Sequence, residues 1–380
     1  MSVEFGTKKF GFGCMRLPMS SGTVGMDGTV DIEQVKKMVD LFLANGFKYF
    51  DTAHGYINGK SETALKEALT SRYPRDKFIL TDKISGYLFK DEAEMREIFA
   101  RQLADAGVTY FDNGLAHAVT TESYAHYKKC HTFEFLQELK KNDRIKHIGM
   151  SFHDKPEVLT QVLTEHPEIE MVQIQFNYND YEDGGVQSRA VYEVCRKFNK
   201  PVIVMEPVKG GALVNLPPAA AKILHDLKGG SNASYAIRFA ASFDGIAMVL
   251  SGMSSLEQME DNLRYMADFK PLNPKERVAV FEVVDILKQE NSIGCTACHY
   301  CAAGCPKKIM IPELFADLNA KRRYANDFNS DFYFGVHTSD GHGKPSECIK
   351  CRQCERVCPQ HLPITDLLKE VSKVFEKPQA

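Results

Sequence analysis

Residues 31–53, DIEQVKKMVDLFLANGFKYFDTA, hold a helix pattern followed almost at once by a strand pattern. Apolar residues recur at helical spacing as far as Gly46, and Asp31 suits the N-cap position of such a helix. The short run YFDTA that follows is aromatic until it reaches Asp51, which is typical of a buried strand ending in a polar residue. The alternation of helix and strand patterns repeats along the chain, and the predicted fold follows from it.

Eight apolar runs have this strand character, and amphipathic stretches separate them. In chain order they are FGFGCM, YFDTA, FILTDK, YFDNGLAHA, IKHIGMSF, MVQIQFNY, PVIVMEPV and GIAMVLSGM. Eight strands with intervening helices predict an α/β fold, a (β/α)8 TIM barrel. A doubly wound sheet is the alternative, but such a sheet usually has a glycine-rich phosphate loop after its first strand. The first strand here continues as GFGCMRLP, which is not a loop of that kind.

The cysteines are concentrated near the C-terminal end. Eight of the eleven lie in the runs CTACHYCAAGCP and CIKCRQCERVCP, each with the spacing Cys-x2-Cys-x2-Cys-x3-Cys-Pro of bacterial ferredoxins. In that pattern the fourth cysteine of each run binds the other cluster, which predicts two [4Fe–4S] clusters. Zinc is the alternative, but a zinc site needs two cysteine pairs rather than two triplets. The predicted ligands are Cys295, Cys298, Cys301 and Cys358 for one cluster and Cys305, Cys348, Cys351 and Cys354 for the other.

The predicted organisation is therefore a barrel over residues 1–290 and a small ferredoxin-like domain of helices and loops over residues 291–380. The formal net charge of −3 does not indicate binding to nucleic acid or anionic lipid. No run of about 18 apolar residues occurs, and the first residues lack the apolar stretch of a signal peptide. We expect no nucleic-acid partner, no membrane association and a cytoplasmic location.

Polar residues stand at the C-terminal ends of six predicted strands. In a parallel barrel these ends converge on one face, where barrel enzymes place their chemistry. The sequence thus predicts a polar site at that face, built from Asp51, Lys83, His117, Ser151, Gln173 and Glu206.

The stretch YFDTAHGYINGKSE, residues 49–62, resembles the aldo-keto reductase family. There an Asp ends the second strand, a Tyr follows five residues later, and Gly-x-Ser-Glu begins a helix. A Lys at the end of the third strand and a His at the end of the fourth, five residues after Asp112, extend the likeness over about residues 1 to 290. With its cysteine-rich tail the chain is similar to the aldo-keto reductases that carry a fused C-terminal ferredoxin-like domain. The catalytic residues that the resemblance implies are Asp51, Tyr56, Lys83 and His117.

The chemistry of carbonyl reduction requires residues of these types. Hydride transfer builds negative charge on the carbonyl oxygen, so a proton donor must stand beside it. Tyrosine has a reference pKa of about 10, too high for an efficient acid near neutrality unless a cation lowers it. We expect Lys83 to lower the pKa of Tyr56, and Asp51 to pair with Lys83. His117 would donate a hydrogen bond that orients the carbonyl.

The resemblance also implies a nicotinamide dinucleotide, NADP(H) or NAD(H). Ser151 and Gln173 would hold the nicotinamide amide, and Met205 stands where an aromatic residue commonly stacks on the ring. The segment SGMSSLEQMEDN after the eighth strand would hold the adenosine end. NADP-dependent members often have a basic residue there, because a phosphate dianion prefers an arginine fork. Neutral residues occupy those positions, which leaves the choice between NADP and NAD open; the candidate contacts are Gly252, Ser254, Gln258 and Asn262.

The predicted function is an oxidoreductase that interconverts an aldehyde or ketone with its alcohol, the clusters serving either as an electron relay or as structural elements. The predicted partners are a small carbonyl or alcohol substrate and a redox protein such as ferredoxin. Two alternatives are an electron-transfer protein whose barrel mainly binds a partner or nucleotide, and a flavin-dependent reductase. The intact set of four catalytic residue types favours the first function, and no sequence feature indicates flavin.

Overall fold

The computed structural model describes residues 3–20, 28–184, 186–289, 293–295, 299–323, 328–339, 341–358 and 360–376. They form two compact units. The first comprises Met1–Glu182, Val186–Pro207 and Ala233–Asn273, and the second comprises Asp183–Gly185, Val208–Asn232 and Pro274–Ala380. This division differs from the predicted boundary at residue 290, because a helix of residues 274–289 packs on one of residues 218–226 within the second unit.

Eight parallel strands close into a barrel in the first unit. They are β1 Phe10–Gly13, β2 Tyr49–Asp51, β3 Ile79–Ser85, β4 Phe111–Val119, β5 Ile145–Phe152, β6 Met171–Gln175, β7 Val202–Met205 and β8 Ile246–Gly252. Each strand pairs with the next in sequence, and β8 pairs with β1, where Phe12 lies opposite Ser251. Each predicted strand segment overlaps one of these strands, so the prediction of a TIM barrel is confirmed.

Helices alternate with these strands along the chain. They are α1 Ile32–Ala44, α2 Lys60–Leu65, α3 Glu92–Ala106, α4 Thr121–Lys129, α5 Thr132–Lys141, α6 Pro156–Glu165, α7 Ser188–Lys197, α8 Pro218–Asp226, α9 Asn232–Ala241, α10 Leu256–Met266 and α11 Pro274–Gln289. The side chain of Asp31 caps α1, accepting from the Gln34 N–H at 3.0 Å as the sequence predicts. The α-helical part of α2 ends at Leu65, where a wider π turn follows over Lys66–Thr70.

Apolar side chains from several strands fill one end of the barrel interior. They form one buried cluster of Tyr49, Ile79, Leu115, Met171, Ile203, Met248 and Leu250. Burial of a large apolar side chain contributes about 1.5–3 kcal/mol, so this layer is a firm base for the polar residues further along the same strands. A polar layer also lies inside: Thr81 Oγ1 donates to the Tyr49 hydroxyl at 2.7 Å, and Asn113 Nδ2 donates to Thr81 Oγ1 at 2.9 Å.

The second unit contains the cysteine-rich tail, with helices α12 Tyr300–Ala303, α13 Ile311–Arg323, α14 Phe328–His337, α15 Gln353–Arg356 and α16 Ile364–Phe375. Leu314, Phe315 and Leu368 are among the apolar residues of its core. The sequence predicts an exposed loop over residues 335–347 with a solvated His337, but α14 extends into that segment. His337 Nδ1 instead lies 2.8 Å from Asp317 Oδ2, a contact between elements that sequence spacing does not reveal. None of the described helices is both long and apolar enough to cross a membrane.

Candidate active site

A buried ion pair joins the ends of β2 and β3. Lys83 Nζ donates to Asp51 Oδ1 at 2.6 Å and to the Thr52 carbonyl at 2.8 Å. Both side chains are almost fully buried. Burial by itself lowers the pKa of Lys83, but the charge of Asp51 and the contact with Tyr56 outweigh it, so the pKa of Lys83 is raised above its ordinary value. Lys83 is therefore a fixed cation inside the barrel mouth.

Tyr56 completes this group. Lys83 Nζ also donates to the Tyr56 hydroxyl at 3.1 Å, so one ammonium group bonds both the carboxylate and the phenol. The loop that holds Tyr56 leads into α2 through Gly59, whose φ of 79° is a left-handed conformation that favours glycine. Ser61 Oγ, at the start of that helix, donates to the Cys14 carbonyl at 2.9 Å and so ties the loop to the barrel.

The electrostatics of Tyr56 differ from the sequence-based expectation that Lys83 would lower its pKa. Burial raises the pKa of Tyr56 to about 12, and the attraction of Lys83 for the phenolate only partly opposes this. The negative charge of Asp51 adds to the increase. Tyr56 consequently keeps its proton throughout the physiological pH range, as a group that acts as an acid must.

His117 lies on β4 opposite Ser85 of β3, and its ring centroid is 5.7 Å from that of Tyr56. Its Nδ1 is 2.6 Å from Ser85 Oγ. Ala118 has a φ of 50°, and the pairing of β4 with β5 shifts register around it, an irregularity of the kind that redirects a side chain at a strand end. Burial, together with the positive charge of Lys83, holds the pKa of His117 well below its usual value, so the imidazole is neutral at pH 7.

Asp112, the landmark five residues before His117, does not join this group. Its carboxylate accepts from Arg75 at 2.5 Å, from Lys146 at 2.8 Å and from the Leu80 N–H at 2.8 Å. These bonds tie β3 and β4 to neighbouring segments. Asp112 thus has a structural role.

Three residues that the sequence did not predict for the site, Ser85, Tyr87 and His153, lie near the four predicted residues. Tyr87 is 67% exposed, with its ring centroid 6.2 Å from that of His117. Burial and then the charge of Lys83 lower the pKa of His153 to about 4. His153 directly follows the end of β5 at Phe152. Because side chains alternate along a strand, Ser85 falls on the same face of β3 as Lys83. This alternation with a period of two is the sequence signal from which Ser85 could have been predicted.

Ser151 and Gln173 lie opposite each other on β5 and β6. Gln173 is 1% exposed, and its Oε1 has no hydrogen-bond partner among the described residues. A buried orphan acceptor is costly unless a ligand supplies the donor, and the amide NH2 of nicotinamide is such a donor. Ser151 Oγ accepts from the Ala118 N–H at 2.7 Å, which fixes its position. Met205 ends β7, opposite Gln175. Ser151 and Gln173 thus fit the carboxamide end of a nicotinamide.

Of the predicted dinucleotide contacts after β8, Ser254 and Gln258 lie together, whereas Asn262 is buried. The Ser254 N–H donates to Gln258 Oε1 at 2.7 Å, and Gly252 is exposed at the strand end. Asn262 is buried instead, donating to Ser251 Oγ at 3.0 Å and accepting from the Tyr265 hydroxyl at 2.5 Å. The amide of Asn262 is therefore engaged within the protein.

The aliphatic stem of Arg16, a residue that the sequence did not predict for this site, lies beside Gly252. A Cβ atom placed on Gly252 would lie 3.3–3.5 Å from the side chain of Arg16, and the Arg16 carbonyl accepts from Ser254 Oγ at 2.8 Å. Arg16 follows β1, about 240 residues earlier in the chain, so only the closure of β1 on β8 reveals its place.

The described cysteines of the tail line two cavities. Cys305, Cys348, Cys351 and Cys354 surround one, with Ile309 and Leu368 also in its wall. Cys295, Cys301 and Cys358 line the other, with Phe315 and Ile364. Cys298 lies outside the described residues. Thiol groups around a small apolar-walled cavity fit an iron–sulfur cluster, and their grouping follows the interleaved pairing of the sequence prediction.

Family models match both parts of the chain. The model of the aldo/keto reductase family matches residues 9–284, and that of a 4Fe-4S dicluster domain matches residues 294–362. The comparison with curated proteins gave no match.

Solved structures share the barrel fold. An aldo-keto reductase from Bacillus halodurans, AKR11C1 in its holo form, is 23% identical, with a TM-score of 0.58 over 74% of this chain and 95% of that one. One from Klebsiella pneumoniae in complex with NADPH is 16% identical, with a TM-score of 0.57 over 73% and 90%. The thermostable aldo-keto reductase Tm1743, in complex with the inhibitor epalrestat, is 16% identical, with a TM-score of 0.60 over 74% and 99%.

Proposed function

The chain belongs to the aldo/keto reductase family, and we propose that it interconverts an aldehyde or ketone with its alcohol by hydride exchange with NADH or NADPH. The observation that carries the proposal is the double contact of Lys83, whose ammonium group bonds both Asp51 and Tyr56. Such a group places a protonated phenol beside a fixed positive charge. An anaerobic screen of NADH and NADPH oxidation over a panel of aldehydes and ketones tests the proposal.

In the proposed reaction Tyr56 is the general acid that protonates the carbonyl oxygen. Its raised pKa keeps the proton in place until negative charge develops on the substrate, and Lys83 stabilises the phenolate that remains. Asp51 positions Lys83 and balances its charge. When bound, the nicotinamide supplies the hydride. The complex of the Klebsiella pneumoniae relative with NADPH supports a dinucleotide of this class.

His117 is proposed to orient the carbonyl. A Ser85 hydroxyl that donates to Nδ1 leaves the ring hydrogen of the neutral imidazole on Nε2. Nε2–H can then donate to the same oxygen that Tyr56 protonates, which places two donors on the developing charge. Ser151 and Gln173 are the proposed holders of the nicotinamide amide.

We expect the protein to use NADH within roughly tenfold of NADPH, a difference of about 1.4 kcal/mol. Gly252 and Gln258 give no cation for a 2′-phosphate, although Arg16 stands beside Gly252. The measurement is kcat/KM for both dinucleotides with one active carbonyl. A preference for NADPH above about 10³ would contradict the expectation, and selective loss of NADPH use in Arg16→Ala would then identify the cation responsible.

The tail is proposed to hold two [4Fe–4S] clusters, with the eight predicted cysteines as ligands. We expect roughly eight iron atoms per chain after anaerobic reconstitution, and roughly four in Cys354→Ser, because Cys354 lines only one cavity. Cys195→Ser, a change at a buried barrel cysteine, is the matched control and should retain all the iron. Zinc in place of iron, or an unchanged iron content in Cys354→Ser, would overturn the assignment.

We further infer that the clusters relay single electrons, the structural role being the alternative. A hydride carries two electrons, whereas a [4Fe–4S] cluster passes one, so a relay serves a one-electron partner, the substrate or a flavin. The prediction is an EPR signal of reduced cluster during anaerobic turnover in which a reduced one-electron carrier is the electron source. Clusters that stay oxidised while carbonyl reduction runs at full rate would contradict it. A yellow chromophore that remains after iron removal would favour the flavin-dependent alternative.

A further inference from the structure

Charge is distributed unevenly between the two cysteine motifs. Residues 295–304 contain no Lys, Arg, Asp or Glu, whereas segments 305–308 and 348–358 contain five basic residues and one acidic residue, Glu355. Net positive charge thus gathers at one cysteine set in a chain whose formal net charge is −3. The five basic residues, which we call the basic face, are Lys307, Lys308, Lys350, Arg352 and Arg356.

Three members of the basic face lie next to Cys351, in its cavity or beside it in sequence. Lys307 and Arg352 line the same cavity as Cys351, and Lys350 and Arg352 flank that cysteine in sequence. All five basic side chains are exposed, and so is Cys351 itself. By contrast, no Lys or Arg of the described residues lines the cavity of Cys295, Cys301 and Cys358.

Neighbouring acids leave most of this charge uncompensated. Glu355 Oε1 accepts from the Thr365 N–H at 2.9 Å and from its hydroxyl at 2.6 Å, while Glu355 Oε2 is 3.7 Å from Arg352 Nε. Asp366 pairs with Lys369 at 2.6 Å and interacts with Arg352 and Lys350 only at longer range. No acidic side chain of the described residues lies within ion-pair distance of the other four members of the basic face.

Apolar residues stand among these charges. Ile349 is 58% exposed and Val357 is 50% exposed, on either side of the helix turn that carries Arg352 and Arg356. An apolar centre within a charged rim is typical of a protein interface. A small patch of this kind suits a transient encounter, as in electron transfer between proteins.

We propose that the basic face docks an acidic protein that carries one electron at a time, and that electrons enter or leave the tail beside Cys351. The inference rests on the proposed iron–sulfur function of the tail and adds where the partner binds and what its surface must be. Opposite charges steer such partners together and fix their orientation. In each encounter the carrier loses one electron and the iron–sulfur domain gains one, or the reverse, so no other reactant is needed.

The test uses the reconstituted full chain and flavodoxin, an acidic one-electron carrier, as the probe. The variant Lys308→Glu/Lys350→Glu/Arg356→Glu reverses three charges of the basic face at residues that do not line the cavity. The matched control Lys77→Glu/Lys222→Glu/Lys270→Glu reverses three exposed lysines elsewhere. At low salt, calorimetric titration should give a Kd at least about tenfold higher for the first variant and within about twofold for the control.

Iron content is measured on every sample, so a failure of the iron–sulfur proposal is seen separately from a failure of docking. Binding to the unaltered chain should also weaken at least about tenfold when salt rises from about 20 to about 300 mM, a test that does not depend on the variant folding. Equal affinity of the iron-loaded variant and the control, no binding of flavodoxin to the iron-loaded chain, or binding that is insensitive to salt would overturn the proposal.

Discussion

Replacing Tyr56 with Phe is expected to lower the turnover of carbonyl reduction by at least about 10²-fold, the usual scale for loss of a general acid. The change removes one hydroxyl and leaves the ring in place. That hydroxyl is the group that Lys83 bonds at 3.1 Å, and its pKa near 12 keeps it protonated across the physiological range. The measurement is kcat under saturating dinucleotide, with dinucleotide affinity determined separately.

Tyr87→Phe is the matched control, because it removes the hydroxyl of a neighbouring tyrosine that has no contact with Lys83 among the hydrogen bonds of the described residues. We expect kcat of Tyr87→Phe within about tenfold of the unaltered chain, since the loss of one exposed hydrogen bond is worth about 1 kcal/mol. Near-normal reduction by Tyr56→Phe would remove Tyr56 from the proposed mechanism.

Replacing Lys83 with Met is expected to abolish most activity and also to lower the free energy of unfolding of the barrel by about 3–5 kcal/mol. Lys83 and Asp51 form a buried pair at 2.6 Å, and removing one member leaves the other charge buried without a partner. The double variant Asp51→Asn/Lys83→Met removes both charges and should recover most of the stability but none of the activity. Urea unfolding and turnover measured on the same samples give both quantities.

This double comparison separates the catalytic role of Lys83 from its structural role. Activity that returned in the double variant would contradict the assignment of Lys83 as the cation beside Tyr56. Equal stability of the single variant Lys83→Met and the unaltered chain would contradict the buried ion pair.

The sequence was sufficient to predict the barrel because the constraint is geometric. Parallel strands that close in order must bring their C-terminal ends to one face, so Asp51, Lys83 and His117 lie together whatever the intervening helices contain. The interleaved cysteine spacing is equally restrictive, and the described cysteines line two cavities in the predicted groups.

Electrostatics and long-range neighbours were not predictable in the same way. The pKa of Tyr56 depends on how much solvent its loop excludes, and burial there exceeds the influence of Lys83. Arg16 reaches Gly252 only because β1 pairs with β8, and His337 pairs with Asp317 across two helices. Each of these depends on tertiary packing, which local patterns do not specify.

Hydride transfer from the nicotinamide to a carbonyl carbon can be followed by isotopic labelling of the transferred atom. NADH and NADPH carrying deuterium at C4 of the nicotinamide, in each of the two stereochemical positions, are incubated anaerobically with the protein and a panel of aldehydes and ketones. Mass spectrometry of the alcohols should find one deuterium on the carbinol carbon from one of the two labelled positions, and Tyr56→Phe should lower its yield by at least about 10²-fold. Alcohol formed without deuterium from either position would contradict the account.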